Sequence, residues 1–376
     1  MRIGLSSTTF EPGIARGKID GIGMSTKNLY EEYKKLNLEV TPFYYPQKMR
    51  EPVTTELPNS QSLLLPYMWS TITSLVTPGF SLYRGLEKHI DIFHTTDHMV
   101  PKLKNIPIVA TINDSLMFKH PEWHSVRFAH LKKFARKQTL NWANHFITIS
   151  QTMVQEAVEF AGVKEEKISV VHLGVSPWWS ETVSVEEKAA VLKKFNLPSK
   201  FVLFTGTLQQ KKNLPRLIAA YLELPLDLQA EYPLVVVGRA GWGMEESLTA
   251  IQNLTDKKRG HWLKYVSIDE LRVLFQATTA YLHPSLHEGF GLTLLEAFAS
   301  KTPVLTSNVA ALPEIAGDAA YLVDPYSTDE IRDGMKALLT DSSLREQLVM
   351  KGNRRVQDFS WEKCARETLK VYQTVL

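Results

Sequence analysis

The chain has 376 residues, of which 44% are apolar and 22% are charged, and its net charge at pH 7 is +3. That length predicts two or three domains, and the composition excludes a disordered, collagen-like or disulfide-stapled chain. The single cysteine, Cys364, cannot form an internal disulfide, which favours a cytoplasmic location. No apolar run approaches the ~18 residues of a membrane-spanning helix. The start of the chain turns polar after Leu5, so we expect no signal peptide.

Charge is spread unevenly along the chain. Residues 1–175 contain 20 Lys and Arg against 16 Asp and Glu. A mildly basic first half suits a phosphate-bearing substrate or an anionic surface. It is too weakly basic to predict a nucleic acid as partner.

The first half of the chain alternates short β-branched runs with amphipathic helical stretches. These predict strands at residues 2–5, 39–44, 90–94, 106–112, 145–149 and 168–171. Helices are predicted at residues 24–36 and 125–142, and a loop with two prolines at residues 51–60. This alternation is typical of a parallel sheet with crossover helices.

Residues 172–180 predict a linker, because Gly174 and Pro177 stand between a strand and a new helix. A second series follows, with strands predicted at residues 201–205, 234–237, 262–266, 280–283, 303–306 and 320–323, and helices at 329–339, 344–359 and 360–376. The expected fold is α/β, with two doubly wound parallel-sheet domains, residues 1–175 and 176–358, and a final helix, 359–376. Two such domains would leave a crevice at the carboxyl ends of their strands, where such sheets bind ligands.

The segment SLHEGFGLTLLE, residues 285–296, carries the most chemical information. Glu288 lies in a glycine-rich loop after a predicted strand, and Glu296 lies about one turn inside the following helix. Free backbone N–H groups at residues 291–294 would form an anion site. Phosphate at the helix start, a sugar beside Glu288 and a ribose beside Glu296 would fit one nucleoside diphosphate sugar. A glycine-rich turn with two solvated acids is the alternative.

This segment resembles the E-x7-E signature of retaining glycosyltransferases with the GT-B fold, in particular glycosyltransferase family 4. VLFTGTLQQKKNLPRLIAAY and SNVAALPEIAGDAAYLVDP resemble two further blocks of the family's second domain. INDSLMFKHPEWHSVRF resembles a first-domain block of bacterial mannosyltransferase-like members. The resemblance covers most of the chain from about residue 91. It implies two Rossmann-like domains facing each other across a crevice, the first on the acceptor side, the second binding the nucleotide sugar, and a last helix returning to the first domain.

The resemblance also implies roles for individual residues. Glu288 would contact the donor sugar as a catalytic group, and Glu296 would bind the ribose hydroxyls. Lys211 and Lys212 stand where the family has an Arg-Lys pair that neutralises the diphosphate, and Lys212 would act in catalysis. The other implied donor-binding residues are Gly21, Gly23, Arg239, Gly289, Phe290, Gly291, Leu292, Thr293 and Leu294.

The expected acceptor side lies in the first domain. The stretch TINDS has Asn113 where the family often has histidine, and it keeps Asp114, which the resemblance places as a catalytic group near the reacting centre. Asn113 can hydrogen-bond a hydroxyl, but it cannot serve as a base. His94 and His98 are further acceptor candidates, for which an ordinary structural role is the alternative.

The implied reaction is retaining transfer of a hexose, α-mannose from GDP-mannose, to a saccharide acceptor linked to polyprenyl diphosphate. A UDP-sugar donor (glucose, galactose or N-acetylhexosamine) and a non-catalytic sugar-nucleotide-binding protein are the alternatives. The sequence has no Asp-x-Asp to hold Mg²⁺ or Mn²⁺ and no Cys/His cluster. We therefore expect no metal and no other cofactor, with the lysines stabilising the leaving diphosphate.

Two regions of the first domain predict a peripheral contact with the inner face of the cytoplasmic membrane. The helix at residues 125–142 is predicted to place Phe128, Leu131, Phe134, Ala135 and Trp142 on one arc and Lys132, Lys133, Arg136 and Lys137 on the opposite arc. A core-packing helix with a solvated outer face is the alternative. Residues 63–83 are unusually apolar for a connection, and they could line an acceptor groove or touch lipid.

Overall fold

The computed structural model describes residues 1–11, 20–46, 57, 59–63, 65–77, 83, 85–97, 99–123, 129–241 and 244–376. The chain forms two compact units. The first comprises Met1–Pro121, Val126–Gly174 and Trp361–Leu376, and the second is mainly Val175–Ser360.

The first unit is built on a parallel sheet. Its described strands are β1 (Arg2–Ser6), β2 (Glu39–Tyr44), β3 (Gln61–Ser62), β4 (Ile92–Thr95), β5 (Ile108–Ile112), β6 (His145–Thr148) and β7 (Ile168–Val170). They lie in the order β3-β2-β1-β4-β5-β6-β7, and every pairing is parallel. The order reverses between β1 and β4, which is the kind of switch point where doubly wound sheets bind ligands.

Helices accompany this sheet. Those described in the first unit are α1 (Gly21–Lys35), α2 (Tyr67–Val76), α3 (Leu116–Lys119), α4 (Ala129–Leu140), α5 (Gln151–Glu156) and, at the end of the chain, α15 (Trp361–Val375). The side chain of Asp20 accepts a hydrogen bond from Gly23 N at 2.7 Å and so caps α1. α15 contacts α1 through two buried hydroxyls, because Tyr33 Oη lies 2.8 Å from Tyr372 Oη.

The second unit repeats the architecture. Its strands are β8 (Val202–Thr205), β9 (Leu234–Val237), β10 (Gly260–Leu263), β11 (Ala280–His283), β12 (Val304–Ser307) and β13 (Tyr321–Val323), in the parallel order β10-β9-β8-β11-β12-β13. Its helices are α6 (Val185–Lys194), α7 (Leu214–Leu222), α8 (Leu226–Glu231), α9 (Glu245–Asp256), α10 (Ile268–Ala277), α11 (Leu292–Ala299), α12 (Leu312–Ala316), α13 (Thr328–Thr340) and α14 (Ser342–Arg355). The strands are short and almost wholly apolar, since helices cover both faces.

Backbones approach closely where β8 and β9 end. A Cβ atom on Gly238, which has φ of +156°, would lie 1.9 Å from Gly206 O. No other residue type fits there without a shift of the backbone. This contact fixes the loops that follow both strands, at the edge of the sheet that carries the lysine pair.

The structure confirms the α/β class and the two parallel sheets, and no predicted strand end is more than three residues from the observed one. The first helix begins at Gly21 rather than at residue 24, because Asp20 supplies the cap. β3 and α2 were not predicted, and residues 51–56 of the predicted loop lie outside the described residues. Among the helices that the structure describes, none is long and apolar enough to cross a membrane.

Two described positions of the helix at residues 125–142 contradict its core-packing alternative. Phe134, which that alternative packs inward, is 59% exposed. Arg136, on the opposite arc, lies inward with its guanidinium 5.5 Å from the ring centre of Phe118, and burial lowers its pKa. Arg136 can lie inward because its long stem packs on apolar neighbours, and Asp97 and Asp114 oppose the effect of burial on its pKa.

Candidate active site

Two lysines converge on one carboxylate at the carboxyl edge of the second sheet. Lys212 Nζ lies 2.5 Å from Glu288 Oε1, and Lys211 Nζ lies 3.9 Å from Glu288 Oε2. The three side chains are only 14%, 18% and 11% exposed in the order Lys212, Lys211 and Glu288. Two cations on one anion leave an excess of positive charge, which prepares the site for a further anion.

The backbone fixes the register of the lysine pair. Both lysines lie in a 3₁₀ turn, Gln210–Lys212, that follows β8 and ends at Asn213 with φ of +58°. Asn213 Nδ2 donates to Pro284 O at 3.0 Å and to Pro325 O at 2.7 Å, and Leu286 N donates to Lys211 O at 2.7 Å. The turn is therefore tied directly to the loop that carries Glu288.

A buried histidine extends this cluster into the sheet. His283, the last residue of β11, places Nε2 3.3 Å from Glu288 Oε1 and Nδ1 3.0 Å from Tyr281 Oη. Tyr281 Oη in turn lies 3.0 Å from Thr205 Oγ1 on β8. Burial, and then the charge of Lys212, lower the pKa of His283. The imidazole is therefore neutral at pH 7, and it holds Glu288 by a hydrogen bond rather than by charge.

Opposing effects set the charge of Glu288. Burial raises its pKa, but Lys212, Lys211 and His283 together outweigh burial and hold the pKa well below its ordinary value. Burial lowers the pKa of Lys212, and the carboxylate of Glu288 opposes that change. Glu288 is thus ionised throughout the neutral range.

Glu296, the second glutamate of the signature, is in the opposite state. Burial raises the pKa of this α11 side chain to about 8. In the part of the chain that the structure describes, no cation or hydrogen-bond donor pairs with its carboxyl group. The sequence pattern contains two equivalent glutamates, and the structure makes one an anion and the other mostly a neutral acid at pH 7.

The segment between the two glutamates reaches α11 through a left-handed residue. Gly291, with φ of +109°, precedes the first helical residue, Leu292, and a Cβ there would lie 3.1 Å from Leu312 Cδ2. The ring of Phe290 is buried and lies 5.9 Å from the ring of Phe359, edge to face. Packing thus occupies the Phe290 side chain and leaves the backbone of this loop as the part that could contact a ligand.

Arg239 lies on the loop after β9, and its side chain is exposed. Its guanidinium stacks 4.4 Å from the ring centre of Tyr265, which is 58% exposed. Trp262 Nε1 donates to Gly238 O at 2.9 Å and so fixes the base of the same loop. The pair forms an exposed cationic and aromatic platform after the ends of β9 and β10.

The first unit brings together two of its three predicted acceptor residues, His94 and Asn113. A cavity of ≈ 30 Å³ at the carboxyl edge of its sheet is lined by polar groups of Ser25, Thr26, His94, Thr96, Thr111 and Asn113, and by residues of β6, α15 and the segment after β7. Asn113 Nδ2 donates to Thr96 O at 2.7 Å. A volume of this size holds about one water molecule.

His94 is buried, and both of its ring nitrogens are engaged. Nε2 lies 2.8 Å from Thr111 Oγ1, and Nδ1 lies 2.6 Å from Tyr372 Oη. Burial lowers its pKa to about 3, so the ring is neutral. His94 therefore links the sheet to α15 and lines the cavity as an uncharged group.

The other predicted site residues of the first unit do not line that cavity. Asp114 lines a second small cavity with Arg136 and Ser115. Gly21 and Gly23 lie in the first turn of α1, and a Cβ on Gly21 would meet no atom within 4 Å. His98 lies outside the described residues.

Two family profiles match this sequence. The profile described as Glycosyltransferase Family 4 matches residues 19–178, and the profile described as Glycosyl transferases group 1 matches residues 186–355. O-antigen chain mannosyltransferase B of Escherichia coli is 31% identical over 266 residues, which are 70% of this chain and 70% of that protein. The chain belongs to glycosyltransferase family 4.

A further relative and two solved structures are also similar to this chain. A serotype-specific mannosyltransferase of Escherichia coli is 26% identical over 275 residues, which are 72% of this chain and 33% of that protein. Sucrose-phosphate synthase from Thermosynechococcus elongatus superposes with a TM-score of 0.76 at 19% identity, covering 100% of this chain and 98% of that one. Anabaena HepE, in complex with UDP and glucose, superposes with a TM-score of 0.74 at 15% identity, and 100% of both chains is covered. These likenesses show the GT-B fold.

Several residues of this family 4 site were not predicted from the sequence. His283, Asn213 and Tyr281 hold the lysine pair and Glu288 in place, and Thr96 and Thr111 line the first-unit cavity. A signal existed for His283, because it ends an apolar strand immediately before the signature loop. No comparable signal marked Asn213, whose bonds to Pro284 and Pro325 join distant parts of the chain.

Proposed function

We propose that this glycosyltransferase is a retaining hexosyltransferase that transfers α-mannose from GDP-mannose to a saccharide acceptor during surface polysaccharide synthesis. Support for mannose comes from the relatives, which are named as O-antigen and serotype-specific mannosyltransferases. We further propose that the acceptor is linked to polyprenyl diphosphate.

The observation that carries the proposal is the contact of two lysines with Glu288. A donor diphosphate brings at least two negative charges, and Lys211 and Lys212 are the cations gathered at this edge of the second sheet. We propose that these ammonium groups move their contact from Glu288 to the diphosphate, with the N–H groups of residues 291–294 as further donors. The excess positive charge then stabilises the leaving group as its bond to the sugar breaks.

Glu288 would act on the sugar. Once the lysines contact phosphate, its carboxylate keeps the hydrogen bond to neutral His283 and faces the positive charge that develops at the anomeric carbon. We propose attack of the acceptor from the side of the leaving group, assisted by the departing phosphate, which retains the anomeric configuration. Glu296 would bind the ribose.

The remaining predicted residues complete the proposal. The backbone of residues 289–294 would follow the sugar and diphosphate, and Gly21 and Gly23 would contribute from the first unit. Arg239, stacked on Tyr265, would contact the nucleotide. Asn113 and Asp114 would act on the acceptor side, and neutral His94 would support the strand ends beside Asn113. No metal ion is required in this scheme, because the lysines carry the positive charge.

A UDP-sugar donor is the second candidate. Its support is a solved structure of similar fold, Anabaena HepE, which is in complex with UDP and glucose. Backbone contacts at residues 265–267 would accept either base, so the choice of base needs a direct measurement.

The test is a comparison of donors with the purified chain. We expect release of GDP from GDP-mannose in excess EDTA, faster than release of UDP from UDP-glucose, UDP-galactose or UDP-N-acetylhexosamines. Proton NMR of the transferred sugar should show the α configuration of the donor. Turnover of UDP-sugars but not of GDP-mannose would show that the donor is a UDP-sugar. A product with the β configuration would exclude a retaining mechanism. If EDTA abolishes activity and Mg²⁺ restores it, the lysines alone do not stabilise the leaving diphosphate. Binding without turnover of any donor would favour the non-catalytic alternative.

A further inference from the structure

Helix α2 presents an apolar face to solvent. The side chains of Met68, Trp69, Ile72, Leu75 and Val76 are 39–74% exposed. Their spacing along the ten-residue helix places them on one side. Single exposed apolar residues are ordinary on protein surfaces, whereas a contiguous stripe of five marks a site of interaction. We call these five residues the α2 stripe.

The two threonines on the exposed side of α2 and at its end bond the helix backbone. Thr73 Oγ1 donates to Trp69 O at 2.8 Å, and Thr77 Oγ1 donates to Thr73 O at 2.6 Å. The other Ser and Thr residues of the helix, Ser70, Thr71 and Ser74, are buried and do not reach this surface. A threonine that bonds the carbonyl one turn back can enter hydrocarbon without an exposed unpaired donor.

The sequence around α2 lacks charge to an unusual degree. Residues 57–83 contain no Asp, Glu, Lys, Arg or His, whereas the next longest such run, residues 302–313, has 12 residues. Charged and polar groups at a protein interface fix the orientation of one partner on the other. A stretch of 27 residues without any charge is better suited to contact lipid than a protein partner, because a fluid lipid layer does not require one fixed orientation of the protein.

Positive charge borders the stripe at the end of α2. Lys102 Nζ donates to Ser74 O at 3.0 Å. Lys104, two residues further along the chain, and Lys88, which follows Glu87, are exposed. The acid beside them, Glu87, is buried, and its carboxylate accepts hydrogen bonds from Lys104 N at 2.8 Å and from Asn105 Nδ2 at 3.0 Å. An apolar face with lysines at its margin is complementary to an anionic bilayer.

The neighbouring helix α4 does not share this design in its described side chains. Phe134 is exposed, but Arg136 lies inward, so no apolar face comparable to the α2 stripe is formed at residues 133–140. Of the two regions whose sequence suggested a membrane contact, the structure favours the one at α2.

We propose that the α2 stripe inserts into the interfacial layer of an anionic bilayer, with Lys88, Lys102 and Lys104 against the lipid headgroups. A helix of ten residues is about 15 Å long, too short to span a bilayer, so it would lie in the plane of the interface. Trp69, one of the five residues of the stripe, suits this layer, where aromatic rings accumulate. The inference does not depend on which donor or acceptor the enzyme uses.

The test is co-sedimentation of the full chain with vesicles of phosphatidylcholine, alone or mixed with phosphatidylglycerol. We expect binding to the mixed vesicles and weaker binding to phosphatidylcholine alone. Trp69→Ser combined with Ile72→Ser should weaken partitioning at least ~10-fold, because two large apolar side chains no longer leave water. The matched control, Val185→Ser with Leu226→Ser, removes side chains that are 79% and 67% exposed in the second unit, and it should bind like the wild type.

A second variant tests the lysine margin. Lys88→Glu with Lys104→Glu should reduce binding to mixed vesicles and leave binding to phosphatidylcholine nearly unchanged, since it alters charge alone. Melting temperatures of all variants should match the wild type, because the substituted side chains are exposed. Equal vesicle binding by wild type and stripe variant would overturn the proposal. A second result would also overturn it: neither protein binds vesicles, and sedimentation velocity shows that the wild type self-associates whereas the stripe variant does not. In that case a second copy of the chain would cover the stripe.

Discussion

The carboxyl edges of the two sheets have the same architecture and different chemistry. In the second unit Lys211, Lys212 and Glu288 concentrate full charges in a space that is largely closed to water. In the first unit the cavity beside His94 and Asn113 is lined by hydroxyls, an amide and an imidazole that burial keeps neutral. The parallel sheets thus determine where a ligand can bind, and the side chains at each edge determine which kind of ligand binds there. The charged edge suits an anionic ligand, whereas the first edge offers only uncharged hydrogen-bonding groups.

Removing the anion from the charged edge should have the largest effect. Glu288→Gln keeps the size of the side chain and removes the charge that we propose lies beside the anomeric centre, so kcat should fall by at least ~10²-fold. Donor affinity, measured by calorimetry, should be retained or increase, because Lys211 and Lys212 no longer pair with a carboxylate. A melting temperature should accompany the kinetics, since the variant leaves two buried lysines together. Normal turnover would exclude Glu288 from the reaction.

Replacing either lysine sharpens the same comparison. Lys212→Ala should lower kcat more than it raises the donor KM, because charge on the leaving group grows towards the transition state. A charge-assisted contact of this kind is worth ~1.5–3 kcal/mol, or roughly 10- to 150-fold.

The matched control is the neighbouring lysine. Lys211→Ala should have a smaller effect, since its ammonium lies 3.9 Å from the carboxylate rather than 2.5 Å. Finding Lys211 essential and Lys212 dispensable would reverse our assignment of the pair. Lys212→Arg should keep part of the activity, because it restores the charge with a different geometry.

The two edges were not equally accessible from the sequence. Glu288 and Glu296 can be singled out from one motif with fixed spacing and the lysine pair from a separate block 76 residues before Glu288, and the structure brings both lysines into contact with Glu288. Their charge states could not be predicted, since these depend on burial and on contacts between residues far apart in the chain, such as Lys212 with Glu288. The hydrogen bond between His94 and Tyr372 joins residues 278 positions apart, so no local sequence pattern could predict it. Helix α2 was missed because its exposed side is apolar, which violates the usual amphipathic pattern.

The raised pKa of Glu296 makes stability depend on pH. In the unfolded chain this group ionises near pH 4.5, and in the folded chain near pH 8. Between those values the folded state keeps a proton that the unfolded state has lost, so stability falls as pH rises through this range. Glu296→Gln removes the effect. Its stability relative to the wild type should increase by on the order of 1–3 kcal/mol between pH 5 and pH 8. Thermal melts at both pH values measure this, and parallel pH profiles would contradict it.

The smallest effects should come from the neutral edge. Asn113→Ala removes the hydrogen bond to Thr96 O and a polar group of the cavity wall. We expect the acceptor KM to rise by roughly three- to tenfold, the value of about one neutral hydrogen bond, with release of nucleotide from donor alone unchanged. Tyr372→Phe is the matched comparison, because its hydroxyl contacts His94 and Tyr33 and is not part of the cavity wall. It should cost ~1–2 kcal/mol of stability and leave the acceptor KM unaltered. If both variants change only stability, the neutral edge holds the fold together and does not bind the acceptor.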